Sequence, residues 1–185
     1  MDITLPAGLP RTPVVAAPDA RLAALLDAAL PAIERANGLY GALRCAVEQT
    51  GRALGWPVGH AWVVDDREVW RSAGVWYDAD PDAYTDLGVA SLEAEPGVAR
   101  GHLALALHLG VPEWTNGLDV GGSRAATALA TGLRGAVAAP VYVDGTVVAL
   151  LEWFLADDRC PSRETFDTIG LLAASVAEAT SLLAA

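Results

Sequence analysis

Lysine is absent from the 185-residue chain, so all 12 basic residues are arginine, and they stand singly along it. Against 23 acidic residues they leave a formal charge of −11. No basic stripe exists to follow a phosphate backbone, which argues against nucleic acid as a partner, and an anionic membrane surface is disfavoured for the same reason. Cysteine is nearly absent too. Cys45 and Cys160 stand 115 positions apart, with no C-x-x-C and no nearby His pair, so two lone thiols in a reducing compartment are expected over a single long-range bridge. No uncharged apolar run reaches the ~18 residues of a membrane span. Residues 1–18 lack a basic start, and four prolines interrupt them. They read as a flexible tail, neither signal peptide nor anchor. A soluble cytoplasmic protein is the expectation. Aromatic residues are scarce at 6%, yet half of them are tryptophan: Trp56, Trp62, Trp70, Trp76, Trp114 and Trp153.

What is present is apolar: 53% of the residues, against 19% charged, enough to bury a real core. Asp19 is a good N-cap for a helix to about Ala36, with Leu22, Leu26, Ala29 and Ile33 on one side and Pro31 expected to bend or divide it. A second helix over 39–54 ends before Gly55. The period then changes. Val58–Val64 and Val69–Val75 flank Asp65-Asp66 as the strands of a hairpin, and Pro81 opens a helix. Residues 97–109 read as helical and 111–115 as a short strand. Gly121-Gly122-Ser123 is a loop before a short helix over 124–130. Asp144-Gly145, the dipeptide that best fits a type I′ turn, joins two β-branched runs, 136–143 and 146–155. Both faces of this hairpin are apolar, so it should be covered on both sides. Ser162 caps a last helix whose Ile169, Leu172, Val176, Ala179 and Leu183 form a heptad-like seam. Residues 19–185 therefore form a single α+β domain, layered helices against a central antiparallel sheet.

Several segments together resemble a GAF domain. Gly132-Leu133-Arg134-Gly135-Ala136-Val137-Ala138-Ala139-Pro140-Val141 looks like that family's GLR-x-A-x-A-x-P-V strand. Asp144 to Phe154 looks like its G-x-V-V-G-V-L-E-F-F strand. Ala53-Leu54-Gly55-Trp56 with His60 to Asp65 resembles the first helix-to-strand junction. Gly74-Val75-Trp76 and the polar stretch after it are similar to GAF domains of bacterial sensor histidine kinases and diguanylate cyclases. The resemblance covers roughly residues 22–183. It implies a sheet of about six strands, terminal helices on one face and a ligand pocket on the other. The implied function is a sensory or regulatory small-ligand module in bacterial signalling, such as two-component or cyclic-di-GMP systems, and not an enzyme. It would work as a homodimer through its terminal helices, with an output domain or protein in cis or in trans. A scaffold module without ligand, and a small redox enzyme of the free methionine sulfoxide reductase type, are the alternatives. No Asn-Lys-Phe-Asp-Glu set of cyclic-nucleotide binders is present. No Cys-His pair suits a bilin, Cys45 and Cys160 do not reproduce the reductases' cysteine set, and Glu93 to Val98 is shorter than the family's Gly-rich run.

For chemistry, the histidines offer little. His102 and His108 sit six positions apart, about 240° around a helix, so they share no metal site, and no G-x-S-x-G elbow supports a nucleophile. No metal and no cofactor are expected, haem and bilin included, although His102 has the chemistry of a single haem ligand or a pocket donor. Glu152 stands out as a carboxylate in an apolar strand, which must be paired, protonated or facing a ligand, with Arg124 and Arg134 as candidate partners. Strand parity groups His60, Trp62 and Val64, and sets Trp153 with Leu151 opposite Glu152. The candidate ligand-binding residues are Trp62, Trp70, Trp76, Tyr77, His102, Trp114, Arg124 and Glu152: apolar walls with a few polar groups, as a small-molecule site needs.

Overall fold

Asp19 caps the first helix, α1 (Ala20–Glu34), by accepting from the Arg21 backbone N–H. The structure, a computed structural model, describes residues 19–65, 67–93, 101–116, 118 and 123–184. The expected tail, the start of the helix read from 97, the Gly121-Gly122 loop and most of Glu93 to Val98 lie outside the described residues. Pro31 does not divide α1. It stands in the last turns, where it forfeits one backbone hydrogen bond, and Ala29 and Ile33 on either side are fully buried. The second helix, α2 (Gly38–Leu54), ends on Gly55 in the left-handed conformation, φ 68°.

Five strands follow among the described residues, one fewer than the sequence suggests. They are β1 (Val58–Val64), β2 (Trp70–Asp78), β3 (Glu113–Asn116), β4 (Gly135–Val143) and β5 (Thr146–Leu155). All pair antiparallel, in the order β2-β1-β5-β4-β3. The β4–β5 turn has φ 50° at Asp144 and 79° at Gly145, the two positive values that a type I′ turn requires. Between the strands run α3 (Pro81–Leu92), α4 (His102–Leu109) and α5 (Ser123–Ala130), and α6 (Arg163–Ala184) closes the chain.

The sheet divides the helices. α1, α2 and α6 pack together on one face; α3, α4 and α5 lie on the other. The first face holds one continuous core, with Leu25, Ile33, Leu43, Val47, Leu151, Trp153, Ile169, Leu172 and Val176 among its buried members. The described part of the α6 seam is buried inside the protomer, against the sheet, α1 and α2. Leu171 and Leu182 remain exposed on its outer side. The second face holds two smaller clusters, one around Leu87, Leu133 and Phe154 and one around Trp62, Leu103 and Leu150. The described helices on this face are the shorter ones, 12, 8 and 8 residues against 15, 17 and 22.

Candidate functional site

Between the two small clusters lies a charge. Glu152 is fully buried in the middle of β5, between β1 and β4. A carboxylate offers about four lone-pair positions, and four donors fill them here. Trp62 Nε1 donates at 3.0 Å, and His102 Nε2 lies 2.6 Å from Oε1. Arg124 Nη1 donates to Oε1 at 2.8 Å, and Nη2 donates to Oε2. Burial alone would raise the Glu152 carboxyl above the ordinary range. The Arg124 guanidinium and the His102 and His60 contacts outweigh it and hold the group well below, so it is a carboxylate. Since a carboxylate only accepts, the proton on this side of His102 belongs to Nε2.

Arg124 is held in turn. Its Nε donates to Ser91 Oγ at 2.7 Å, and Ser91 donates to the Leu87 carbonyl at 2.8 Å. The guanidinium lies 5.0 Å from the Trp62 ring centre and 4.9 Å from that of Phe154. One carboxylate thus ties β1, α3, α4 and α5 to β5. Arg134, the other candidate partner, donates instead to the Leu129 and Leu133 carbonyls.

His60 closes this cluster on the β1 side. Its Nδ1 stands 3.5 Å from Glu152 Oε2 without a hydrogen bond, and its Nε2 pairs with Ser72 Oγ at 2.8 Å. Burial lowers its pKa below the ordinary histidine range, and the Arg124 charge adds to that against the pull of Glu152, so the ring is neutral. With Nδ1 facing a carboxylate, Ser72 is the donor and Nε2 the acceptor. The register of β1 on β2 shifts by two between His60 and Trp62, where Gly74 takes φ 65°. This bulge lets the Gly74 N–H reach Ser72 Oγ at 3.2 Å, and the even shift keeps Ser72, Trp76 and Asp78 on one face.

Here a cavity of about 310 Å³ opens between the β1–β2 end of the sheet and α3. His60, Ser72, Gly74, Trp76 and Asp78 line one side, and Thr85, Gly88, Val89 and Leu92 the other. Its size falls at the lower end of small-molecule sites, about 300–1,000 Å³. A wider groove, about 730 Å³, runs between β3 and α6 past Val111, Trp114, Cys160, Phe166 and Leu171. Among its described lining residues there is no comparable convergence of buried polar groups; the Trp114 Nε1 there is buried without a hydrogen-bond partner. Both thiols are free; Cys45 donates to the Ala32 carbonyl at 3.6 Å, Cys160 is exposed, and neither lines the smaller cavity.

The eight candidates separate by face. Trp62, His102, Arg124 and Glu152 meet directly; Trp76 lines the cavity beside them, and Trp70 packs against the Trp62 cluster. Tyr77 and Trp114 lie on the opposite face, against the terminal-helix core. Tyr77 neighbours Trp76 on a strand, and adjacent strand residues point to opposite faces. Ser72, Asp78, Thr85 and Ser91 belong to the site or its support without having been signalled. His60 shared a face with Trp62, and that parity was its signal. Among the described residues no group of three or more His, Cys, Asp or Glu is placed to hold a metal. Nor is any described helix long and apolar enough to cross a membrane.

No protein-family model matches the chain, and no curated protein sequence is significantly similar to it. Solved structures are similar. Free methionine-R-sulfoxide reductase from Neisseria meningitidis, solved with its substrate, superimposes with a TM-score of 0.67 at 16% identity, over 91% of this chain and 95% of that one. The GAF domain of an Acinetobacter phosphoenolpyruvate-protein phosphotransferase gives 0.63 at 14%, over 89% and 95%. The chromophore-binding domain of an unusual bacteriophytochrome from R. palustris gives 0.65 at 12%, and this chain spans 61% of its length. At such identities the likeness is one of backbone architecture, and the fold it shows is that of a GAF domain.

Proposed function

We propose that the chain is a non-catalytic sensory or regulatory module of bacterial signalling, in which the cavity between β1–β2 and α3 takes a small ligand. The observation that carries this reading is the pairing of a cavity with a polar wall, His60 and Ser72, that is anchored on the buried Glu152–Arg124 pair. Binding would be transmitted through the sheet, because the residues next to the site face the terminal helices. Gly59 adjoins His60 and leaves no room for a Cβ beside Val47 of α2 and Trp153, while Trp153 adjoins Glu152 and donates to the Val47 carbonyl at 3.2 Å. A ligand that favours one setting of His60 therefore biases the packing of α2 and, through it, of α6. The outer side of α6, with exposed Leu171 and Leu182, is the surface we assign to a homodimer or an output partner.

A thermal-shift screen of a metabolite library, followed by hydrogen exchange with any hit, tests the proposal. A hit should protect α3 and also alter exchange in α6. Protection confined to α3 would remove the coupling, and a library without a hit, on protein that native mass spectrometry shows ligand-free, would remove the sensor reading.

A further inference from the structure

The chemistry of the cavity narrows what it takes. Its neutral His60 and the hydroxyls of Ser72 and Thr85 bring no charge. Asp78 is the one charged residue among its described lining residues. One Asp78 oxygen accepts the Trp76 indole N–H at 2.8 Å; the other has no hydrogen-bond partner among the described residues. Two arginines among the described residues are committed elsewhere. Arg124 is bound two-pronged to Glu152 behind His60, and Arg71 pairs with Asp65 at 2.7 Å. The strand end and the helix that form the cavity carry Asp78, Asp80, Asp82 and Asp86 and no arginine. The walls are the Trp76 indole and the apolar side chains of Val89 and Leu92 at the rim.

From this geometry we infer that the cavity selects a small organic cation, an amine or ammonium compound with an apolar body, and rejects anionic ligands such as nucleotides and carboxylates. The inference rests on the reading of this cavity as the ligand site. An ammonium group gains the free oxygen of Asp78, while the apolar body packs against the Trp76 indole, Val89 and Leu92. A phosphate or carboxylate in the same place would face Asp78 with no cation among the described lining residues to offset it. The acidic surroundings act in the same direction, raising the local concentration of cations.

Three probes of one shape separate charge from fit: phenethylamine, 2-phenylethanol and phenylacetate, titrated calorimetrically into the full chain. The amine should bind about tenfold or more tighter than the alcohol, and the carboxylate should not bind at millimolar concentration. Raising the salt should weaken the amine and leave the alcohol unchanged. Asp78→Asn keeps an oxygen to accept the Trp76 N–H, and should bring the amine down to the affinity of the alcohol. Equal binding of amine and alcohol, or tighter binding of phenylacetate, would overturn the cation inference while leaving the cavity as a ligand site, provided Gly88→Leu, which fills it, abolishes that binding. Binding of the amine that survives Gly88→Leu unchanged would place it elsewhere and overturn the inference. No binding by any probe overturns it as well, and a positive library screen on the same protein would show that the sensor reading stands without it.

Discussion

The two faces of the sheet are made from alternate residues of the same strands, and they differ in kind. On β5, Ala149, Leu151, Trp153 and Leu155 enter the continuous core under α1, α2 and α6; on the other side Leu150 and Phe154 flank the buried Glu152. The first face is held by hydrocarbon, which is non-directional and tolerant of detail. The second is held by a carboxylate whose donors come from β1, α4 and α5, which is directional and fails when one member is lost.

The sharpest break in this comparison comes from two neighbouring residues. Trp153→Ala should destabilise by about 3–5 kcal/mol through a large cavity in the core. Glu152→Ala should cost a similar about 3–5 kcal/mol for a different reason, since it leaves Arg124 as an uncompensated buried charge. Urea unfolding cannot separate the two, but a compensating change can. Arg124→Met with Glu152→Leu should recover part of the loss, because no charge is then left buried alone, while the Trp62 and His102 N–H groups still lack their acceptor. If the double variant is no more stable than Glu152→Ala, the polar face is not organised around that pair.

Acid should act mainly on the polar face, since the other lowered carboxyls, Asp19, Asp65 and Asp157, are in surface pairs that water screens. His60 has its pKa lowered from 6.5, so the unfolded chain binds that proton more readily. Its contribution is present above pH 6.5 and is lost as pH falls towards the folded value. Glu152 is depressed well below 4.5, so its contribution is present above that value and is lost as pH falls further. Both slopes have the same sign. Denaturation midpoints should therefore fall in two stages from about pH 8 to about pH 3. His60→Gln should remove the upper stage and Glu152→Gln the lower, whereas Trp153→Phe should shift the curve without changing its shape.

These contrasts also say what a sequence can carry. Period two in β5, Asp144-Gly145 between two apolar runs, and the helix limits at Asp19 and Gly55 are local signals, and each element appears within a few residues of its expected place. The isolation of Glu152 was legible for the same reason, as a break in a local pattern. Its partners were not. Trp62, His102 and Arg124 lie 90, 50 and 28 residues away, and nothing local distinguished Arg124 from Arg134. Ser91 sits on a helix that was legible only at its start, Pro81, and Ser72 depends on a bulge at Gly74 that no turn dipeptide marks. Tyr77 was separable from Trp76 by parity, a signal present in the chain and outweighed by counting aromatics.

The smallest effects come from two glycines, one per face, and they sharpen the comparison most cleanly because each gains only a methyl group. A Cβ at Gly59 would stand 2.7 Å from Val47 Cγ1 and 3.0 Å from Trp153 Cδ1, inside the closed core. Gly59→Ala should therefore destabilise by about 1–3 kcal/mol through overpacking. A Cβ at Gly88 meets only the Trp76 ring, at an ordinary 3.7 Å. Gly88 lies inside α3, where alanine is favoured over glycine by up to about 1 kcal/mol. Gly88→Ala should thus leave stability unchanged or raise it slightly in thermal unfolding, while it narrows the cavity and weakens whatever ligand sits against Trp76. Gain of stability with loss of binding is the combination expected where room for a ligand is kept at the expense of packing. A clear destabilisation would mean instead that α3 is packed as tightly on the sheet as α2, and the two faces would not differ as described.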